Sequence, residues 1–338
     1  MKTIKIIGFS VLVIVLAACA GVKDTKSVSS FITADESGNT LTRIYQDGSR
    51  KTIGVPIAPH NVQISTDGKW VLATGMNMGE QYSGHEMSGI LLLIKANSFN
   101  LESLRTISFG KHLAHVVTDA TGKIAYITDS VSDSVFVVDI ASAKVKEQIH
   151  VGAFPHGIRL NPILKEAYTA NVNDGTISIV DTLQNKEIWR VPVGGKPIQV
   201  AVSPEGNKLY VTLAKDNAVA VVDIPTHRKI KTIPVGNAPA QIYADPVGRY
   251  MYVANQGSKS KPGNTISIIN VKSDSVIKTV RVGKMPHGIV ASNDGLFVYI
   301  TNMVDNTVSR MAVSNFDILN SYYVGKVPNG ITFIEGKN

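Results

Sequence analysis

Three histidines follow prolines at widely separated places in this chain: Pro59-His60, Pro155-His156-Gly157 and Pro286-His287-Gly288. Neutral imidazole is a common ligand for copper, zinc and iron, and it titrates near physiological pH. The three copies are 96 and 131 residues apart, so no single helix face or loop can gather them. If they act together, a repeated element must carry each of them to a shared place.

That element is legible. Tyr168, Tyr210 and Tyr252 recur at a period of 42 residues. Each follows a turn-rich stretch (Asn161-Pro162, Ser203-Pro204-Glu205-Gly206, Asp245-Pro246-Val247-Gly248) and precedes an alternating run such as Thr176-Ile177-Ser178-Ile179-Val180-Asp181. A period near 40 residues with four short strand signals per unit marks a propeller blade. Aligned on that tyrosine, the chain yields six units at Leu72, Tyr126, Tyr168, Tyr210, Tyr252 and Tyr299, with longer loops in the first and fifth. A seventh is split: Val324–Phe333 supplies an innermost strand, and the segments around Phe31, Ile44 and Ile53 supply three more. Pairing the termini in one blade closes the ring and removes the long free edge that an open sheet would expose. The expectation is an all-β, seven-bladed propeller over residues 30–338.

The residue that opens the innermost strand of each blade forms a column around the central channel. It reads His60, Ala114, His156, Ile198, Ala240, His287 and Asn329. His115 lies one position past the column and His112 two before it. Blades one, two, three and six therefore send imidazole towards one opening, with His112 and Asn329 lining it.

The units resemble the YVTN family of propeller repeats in Val282-Gly283-Lys284-Met285-Pro286-His287-Gly288, Tyr299-Ile300-Thr301-Asn302 and Asp305-Asn306-Thr307-Val308-Ser309. The resemblance covers nearly the whole mature chain and implies the fold; propellers host unrelated activities, so it does not fix a function. The converging histidines also resemble, in geometry alone, those of nitrous-oxide reductase and of haem-carrying nitrite-reductase propellers. This implies copper or haem as candidate cofactors. Against that stands a structural reading: Pro-His-Gly is a frequent start to the innermost strand in YVTN repeats, where the histidine bonds the next blade and lines a water-filled channel.

Blade one carries an insertion after Thr74 that contains Met76, Met78, His85 and Met87. It is expected on the channel face that the histidines occupy, with Met285 and Met303 nearby. Thioethers beside imidazoles would favour Cu(I); methionine in a loop is also an adaptable partner-binding surface.

Lys2 and Lys5 precede the apolar run Ile6–Val15, which is short for a membrane span and has the layout of a secretory signal. It ends in Leu16-Ala17-Ala18-Cys19, which resembles a bacterial lipobox. Cys19 is the single cysteine of the chain. Residues 1–18 are thus expected to be a signal peptide, Cys19 a lipid-bearing mature N-terminus, and 19–29 a tether. The mature protein would be anchored to a bacterial envelope membrane rather than spanning it, at the outer membrane or periplasm in a Gram-negative cell. No thiol then remains for disulfides or cysteine catalysis.

The formal charge drops from +8 to +6 without Lys2 and Lys5, and the basic residues are scattered. Nucleic-acid binding wants a basic stripe interleaved with aromatics, and aromatic content is only 7%; nucleic acid is not an expected partner. A closed propeller is expected to be monomeric, with an envelope protein as a candidate partner. A propeller enzyme, hydrolase or oxidoreductase, is the further alternative; it would need a carboxylate at the hub, for which Asp35, Glu36, Glu80 and Glu86 are the supply. No nucleophile–base pair is visible in the sequence. Asn171, Asn255 and Asn302 are expected in left-handed turns, Gly152, Gly194, Gly236, Gly283 and Gly325 in tight turns before the innermost strand, and Asp139, Asp181 and Asp223 as turn formers.

Overall fold

The computed structural model describes residues 29–77 and 88–336. They form seven four-stranded antiparallel sheets, lettered a to d from the innermost strand outwards. The innermost strands are Ile57–Ile64 in blade one, Leu113–Thr118 in two, Pro155–Asn161 in three, Pro197–Val202 in four, Pro239–Ala244 in five, Pro286–Ala291 in six and Pro328–Ile334 in seven. Blade seven joins Pro328–Ile334 to Ser30–Asp35, Thr40–Tyr45 and Arg50–Gly54 from the other end of the chain, with Phe31 opposite Phe333 and Thr33 opposite Ile331. The expected closure is therefore present. Blade seven also locks onto blade one, where the Ile64 amide donates to Thr332 Oγ1 at 3.1 Å.

Strands b and c are apolar on both sides because each sheet is sandwiched between two neighbours. Ala218–Asp223, with sequence AVAVVD, is buried at every position but the last. A separate apolar cluster fills each seam between blades. Ile32, Ile57 and Leu92 pack between seven and one; Tyr210 and Ile242 between four and five; Phe31, Val290 and Tyr299 between six and seven. Burying an Ile, Leu or Phe side chain stabilises by about 1.5–3 kcal/mol, and no seam is left without such residues. Strand d alternates between a buried anchor and solvent, as in Lys144–His150, where Ile149 alone is buried. Its exposed Lys144 and Lys146 keep this outer edge from pairing with another sheet.

Two features place the candidate site. The loop between strands b and c meets the turn that leads into strand a: the Ser130 amide bonds His112 O, Met303 bonds Met285 O and Glu36 bonds Val327 O. One face of the ring therefore carries both sets of loops. The Thr of each Tyr-Val-Thr step then reaches the column of the following blade. Thr74 Oγ1 donates to Ala114 O (2.6 Å), Thr128 to His156 O (2.6 Å) and Thr212 to Ala240 O (2.7 Å). With Thr301 to Asn329 O, these bonds tie strand b to the next blade's column at four of the seven blade junctions.

One turn expectation is corrected. Asn171, Asn255 and Asn302 have no positive φ. Each donates its amide to a Thr and a Ser of the adjoining strand c, as Asn302 does to Thr307 (3.0 Å) and Ser309 (2.9 Å). Of the five glycines before strand a, Gly194 alone has a left-handed φ, at +79°. The others leave room for those side chains: a Cβ on Gly152 would lie 2.4 Å from Asn171 Nδ2, and one on Gly325 2.4 Å from Asp35 Oδ2. Asp139, Asp181 and Asp223 do accept from turn amides two or three residues on.

Candidate functional site

Pro-His-Gly builds the hub locally. Proline at the first residue of a strand removes no ladder bond that the strand needs. The glycine allows close approach: a Cβ on Gly157 would lie 2.2 Å from Gln199 Oε1, and one on Gly288 2.5 Å from Asn329 O. The neighbouring strand therefore comes near enough for the histidine to reach its backbone. His156 Nδ1 lies 3.1 Å from Ile198 O and His287 Nδ1 3.2 Å from Asn329 O. A carbonyl only accepts, so in both rings Nδ1 carries the proton and Nε2 presents its lone pair. In blade one Asn61 stands where the glycine would be, and the His60 ring turns across the channel instead.

His60, His115 and His156 converge. One ring nitrogen from each lies within 4.8 Å of the others. The Nε2 atoms of His60 and His156 are 3.1 Å apart, and the His115 and His156 ring centroids 4.7 Å apart. His115 is 1% exposed; its Nδ1 faces the Gln199 amide at 3.4 Å, while its Nε2 has no hydrogen-bond partner among the described residues. An unpartnered buried polar atom costs about 1–3 kcal/mol. Behind His60 sits a polar pair. Asn329 Nδ2 donates to Glu36 Oε2 (2.6 Å) and lies 3.1 Å from His60 Nδ1, and Glu36 Oε1 is 3.7 Å from the same nitrogen.

Burial, and then the other imidazoles, hold these rings in the neutral form. His115 is pushed well below its ordinary value by burial, then by His156 and His60. His156 is lowered to about 3 by burial and by His60, against the opposing Ile198 hydrogen bond. His287 is lowered to about 4 by the same first two causes, and His112 is lowered as well. For Glu36, burial pushes upward, but the His60 contact and the Asn329 hydrogen bond outweigh it and bring the carboxyl down to about 2. The site thus joins neutral nitrogen donors to one ionised carboxylate, a set suited to binding a cation or a polar ligand.

Not every expected residue joins the cluster. His287 is buried in the hub but lies outside the three-imidazole group and is held by Asn329 O. His112 stacks near His60, with centroids 6.2 Å apart, beside the channel mouth. Met76 lies on strand b of blade one, paired with Ala58 and Gly89, and Met303 Sδ accepts from Gln256. Met78, His85, Met87, Glu80, Glu86 and Cys19 lie outside the described residues. Asp35 is a structural carboxyl: it ends strand b of blade seven and accepts from Thr33, Thr40 and Thr42. Gln199 and the pairing of Glu36 with Asn329 were not expected. The one available signal was that Glu36 follows the strand-b end Asp35, on the face that the b–c loops share.

The fold and hub define a seven-bladed β-propeller with an imidazole cluster at one mouth of its channel. The chain belongs to the YNCE-like beta-propeller family, which it matches over residues 97–337. No curated protein matches it. Among solved structures it is similar in fold to Kuenenia stuttgartiensis hydrazine synthase, at 20% identity over 85% of this chain and 92% of that one, with a TM-score of 0.68. A protein from Lactobacillus plantarum aligns at 14% identity over 91% and 100%, with a TM-score of 0.76. The dihydro-heme d1 dehydrogenase NirN, solved in complex with DHE, aligns at 12% identity over 90% and 75%, with a TM-score of 0.64. At these identities the likeness concerns the fold.

Proposed function

We propose that this protein is an envelope lipoprotein, tethered through Cys19, that binds a ligand at the histidine-bearing mouth of its channel. The observation that carries the reading is the buried, converging polar hub. Two of its atoms, His115 Nε2 and Asn329 Oδ1, are buried without partners among the described residues, and propeller construction alone needs neither. Blades four and five place Ile198 and Ala240 in the same column, so imidazole there is not demanded by the repeat. The lipobox-like Leu16-Ala17-Ala18-Cys19 supports the anchor. The dehydrogenase of similar fold solved in complex with DHE supports ligand binding as a use of this scaffold. A hydrolytic role finds no nucleophile beside Glu36 among the described hub residues, so binding is the favoured reading over catalysis.

Native mass spectrometry of the full chain, extracted in mild detergent from its own envelope, tests both parts. The expected spectrum shows a diacylglyceryl-type mass that Cys19→Ala removes, and a bound species that His60→Ala/His156→Ala removes. A bare polypeptide mass in wild type and in both variants would refute the reading.

A further inference from the structure

We propose that the hub holds one divalent late first-row transition-metal ion, Zn2+ or Cu2+, on His60, His115 and His156, with Glu36 as the carboxylate behind His60. This rests on the hub-binding reading above and names its ligand class.

The geometry carries it first. Metal–imidazole bonds of 2.0–2.1 Å put the nitrogens of a tetrahedral site about 3.4 Å apart. The closest pair here stands at 3.1 Å, with the third donor inside 4.8 Å, so side-chain rotations that move a nitrogen by at most about 1.4 Å complete three corners. The same distance argues against a tetrapyrrole iron between His60 and His156, because two nitrogens on opposite sides of a metal are about 4 Å apart. Imidazole donors suit zinc and copper, and copper(II) stands above zinc(II) in the general affinity order. Met303 Sδ is engaged by the Gln256 amide, and Met78 and Met87 lie outside the described residues, so the three imidazoles carry the assignment.

Tautomers carry it further. Glu36, as a carboxylate, only accepts, so it fixes the Asn329 amide with its NH2 towards both Glu36 and His60. His60 Nδ1 must then accept, and its proton sits on Nε2, donated to the bare Nε2 of His156. One proton thus occupies the place a metal would take between the two rings. When the ion binds, that proton moves to His60 Nδ1; the Glu36 carboxylate, 3.7 Å away, then closes in to accept it at about 2.9 Å, and the Asn329 amide, which now faces a donor, turns aside. The result is a carboxylate–histidine–metal arrangement, in which the outer carboxylate orients the ring and raises its basicity. His156 needs no change, because Ile198 O already holds its proton on Nδ1. In His115 the Gln199 amide beside Nδ1 leaves the proton on the unpartnered Nε2; binding there moves that proton to Nδ1, with the Gln199 carboxamide turning to present Oε1 to it. Three protein ligands leave a fourth position open for water or an exchangeable ligand.

The test is calorimetric titration of the EDTA-stripped, untagged full chain in detergent with ZnCl2 and, separately, CuSO4. The proposal expects one ion per chain. His60→Ala and His115→Ala should each weaken binding at least 100-fold, and Glu36→Gln about 10- to 100-fold. His227→Ala, whose ring stacks on Trp189 at the outer rim, should bind as wild type. Melting curves of the metal-free variants separate lost ligands from lost fold. No stoichiometric binding by folded wild type, or equal binding by wild type and the hub variants, overturns the proposal. An unchanged affinity in Glu36→Gln overturns the carboxylate's part. If the titration fails while native mass spectra still show a hub-dependent organic adduct, the metal assignment falls and the ligand-binding reading stands; if both fail, both fall.

Discussion

At the scale of the residue, the hub imidazoles trade stability for donor capacity. An unfolded histidine titrates near 6.5, whereas folded His156 and His287 titrate near 3 and 4. Between those values only the unfolded chain takes up the protons, so stability falls as pH drops from about 6.5 towards 4. In full, such shifts are worth on the order of 3–5 kcal/mol each. Glu36 continues the loss from about 4.5 down to about 2, since its folded value is the lower one. Asp35 opposes them: burial raises its folded value from 3.8 to about 6, so its contribution is lost as pH rises through that range. Four depressed imidazoles, His112, His115, His156 and His287, outweigh this one carboxyl. The melting temperature of the metal-free protein should therefore fall from pH 7 to pH 4.5, and less steeply in His287→Gln. Identical slopes in the two proteins would contradict the assignment of His287 as a buried neutral ring. The residue types were legible in the sequence, because a shared column position could be read from the repeat. Their division of labour was not. Whether a histidine bonds the next blade or turns across the channel depends on a strand approach so close that a Cβ at Gly157 or Gly288 would lie within 2.6 Å of the neighbouring blade, which no spacing reveals.

At the scale of the element, the strand-b threonine couples one blade to the next. Thr128 donates to His156 O at 2.6 Å and accepts from the His115 amide at 3.0 Å. It therefore holds the backbone of two hub residues at once. Thr128→Val keeps the shape and leaves both backbone groups unpaired, which should cost about 2–4 kcal/mol. Because the hub backbone is what it holds, ligand affinity should fall as well, measurable in the same titrations. Loss of stability with unaltered affinity would confine this threonine to the fold. The repeat made the position of Thr128 obvious and its partner invisible, because the partner lies in the following blade. The asparagines of the same step show the reverse: an expectation of turn geometry failed because Asn171, Asn255 and Asn302 spend their amides on adjoining hydroxyls.

At the scale of the whole molecule, the ring depends on the strand that the C-terminus lends to blade seven. Removing residues 328–338 would strip Ser30–Asp35 of its partner and open the channel wall between blades six and one. The truncated chain should lose cooperative melting and aggregate through the exposed strand, as followed by circular dichroism and light scattering. A monomeric, cooperatively folded truncation would mean that six blades suffice. This closure was legible from sequence because the end segments each lacked the strands that the other supplied.

The most direct measurement of the central claim is an X-ray absorption spectrum, at the zinc and copper edges, of protein extracted from its own envelope without added metal. The expected result is an edge signal near one ion per chain, with three nitrogen neighbours at about 2.0–2.1 Å, lost in His60→Ala/His156→Ala. An absent edge, or a nitrogen shell that survives in the double variant, would contradict it.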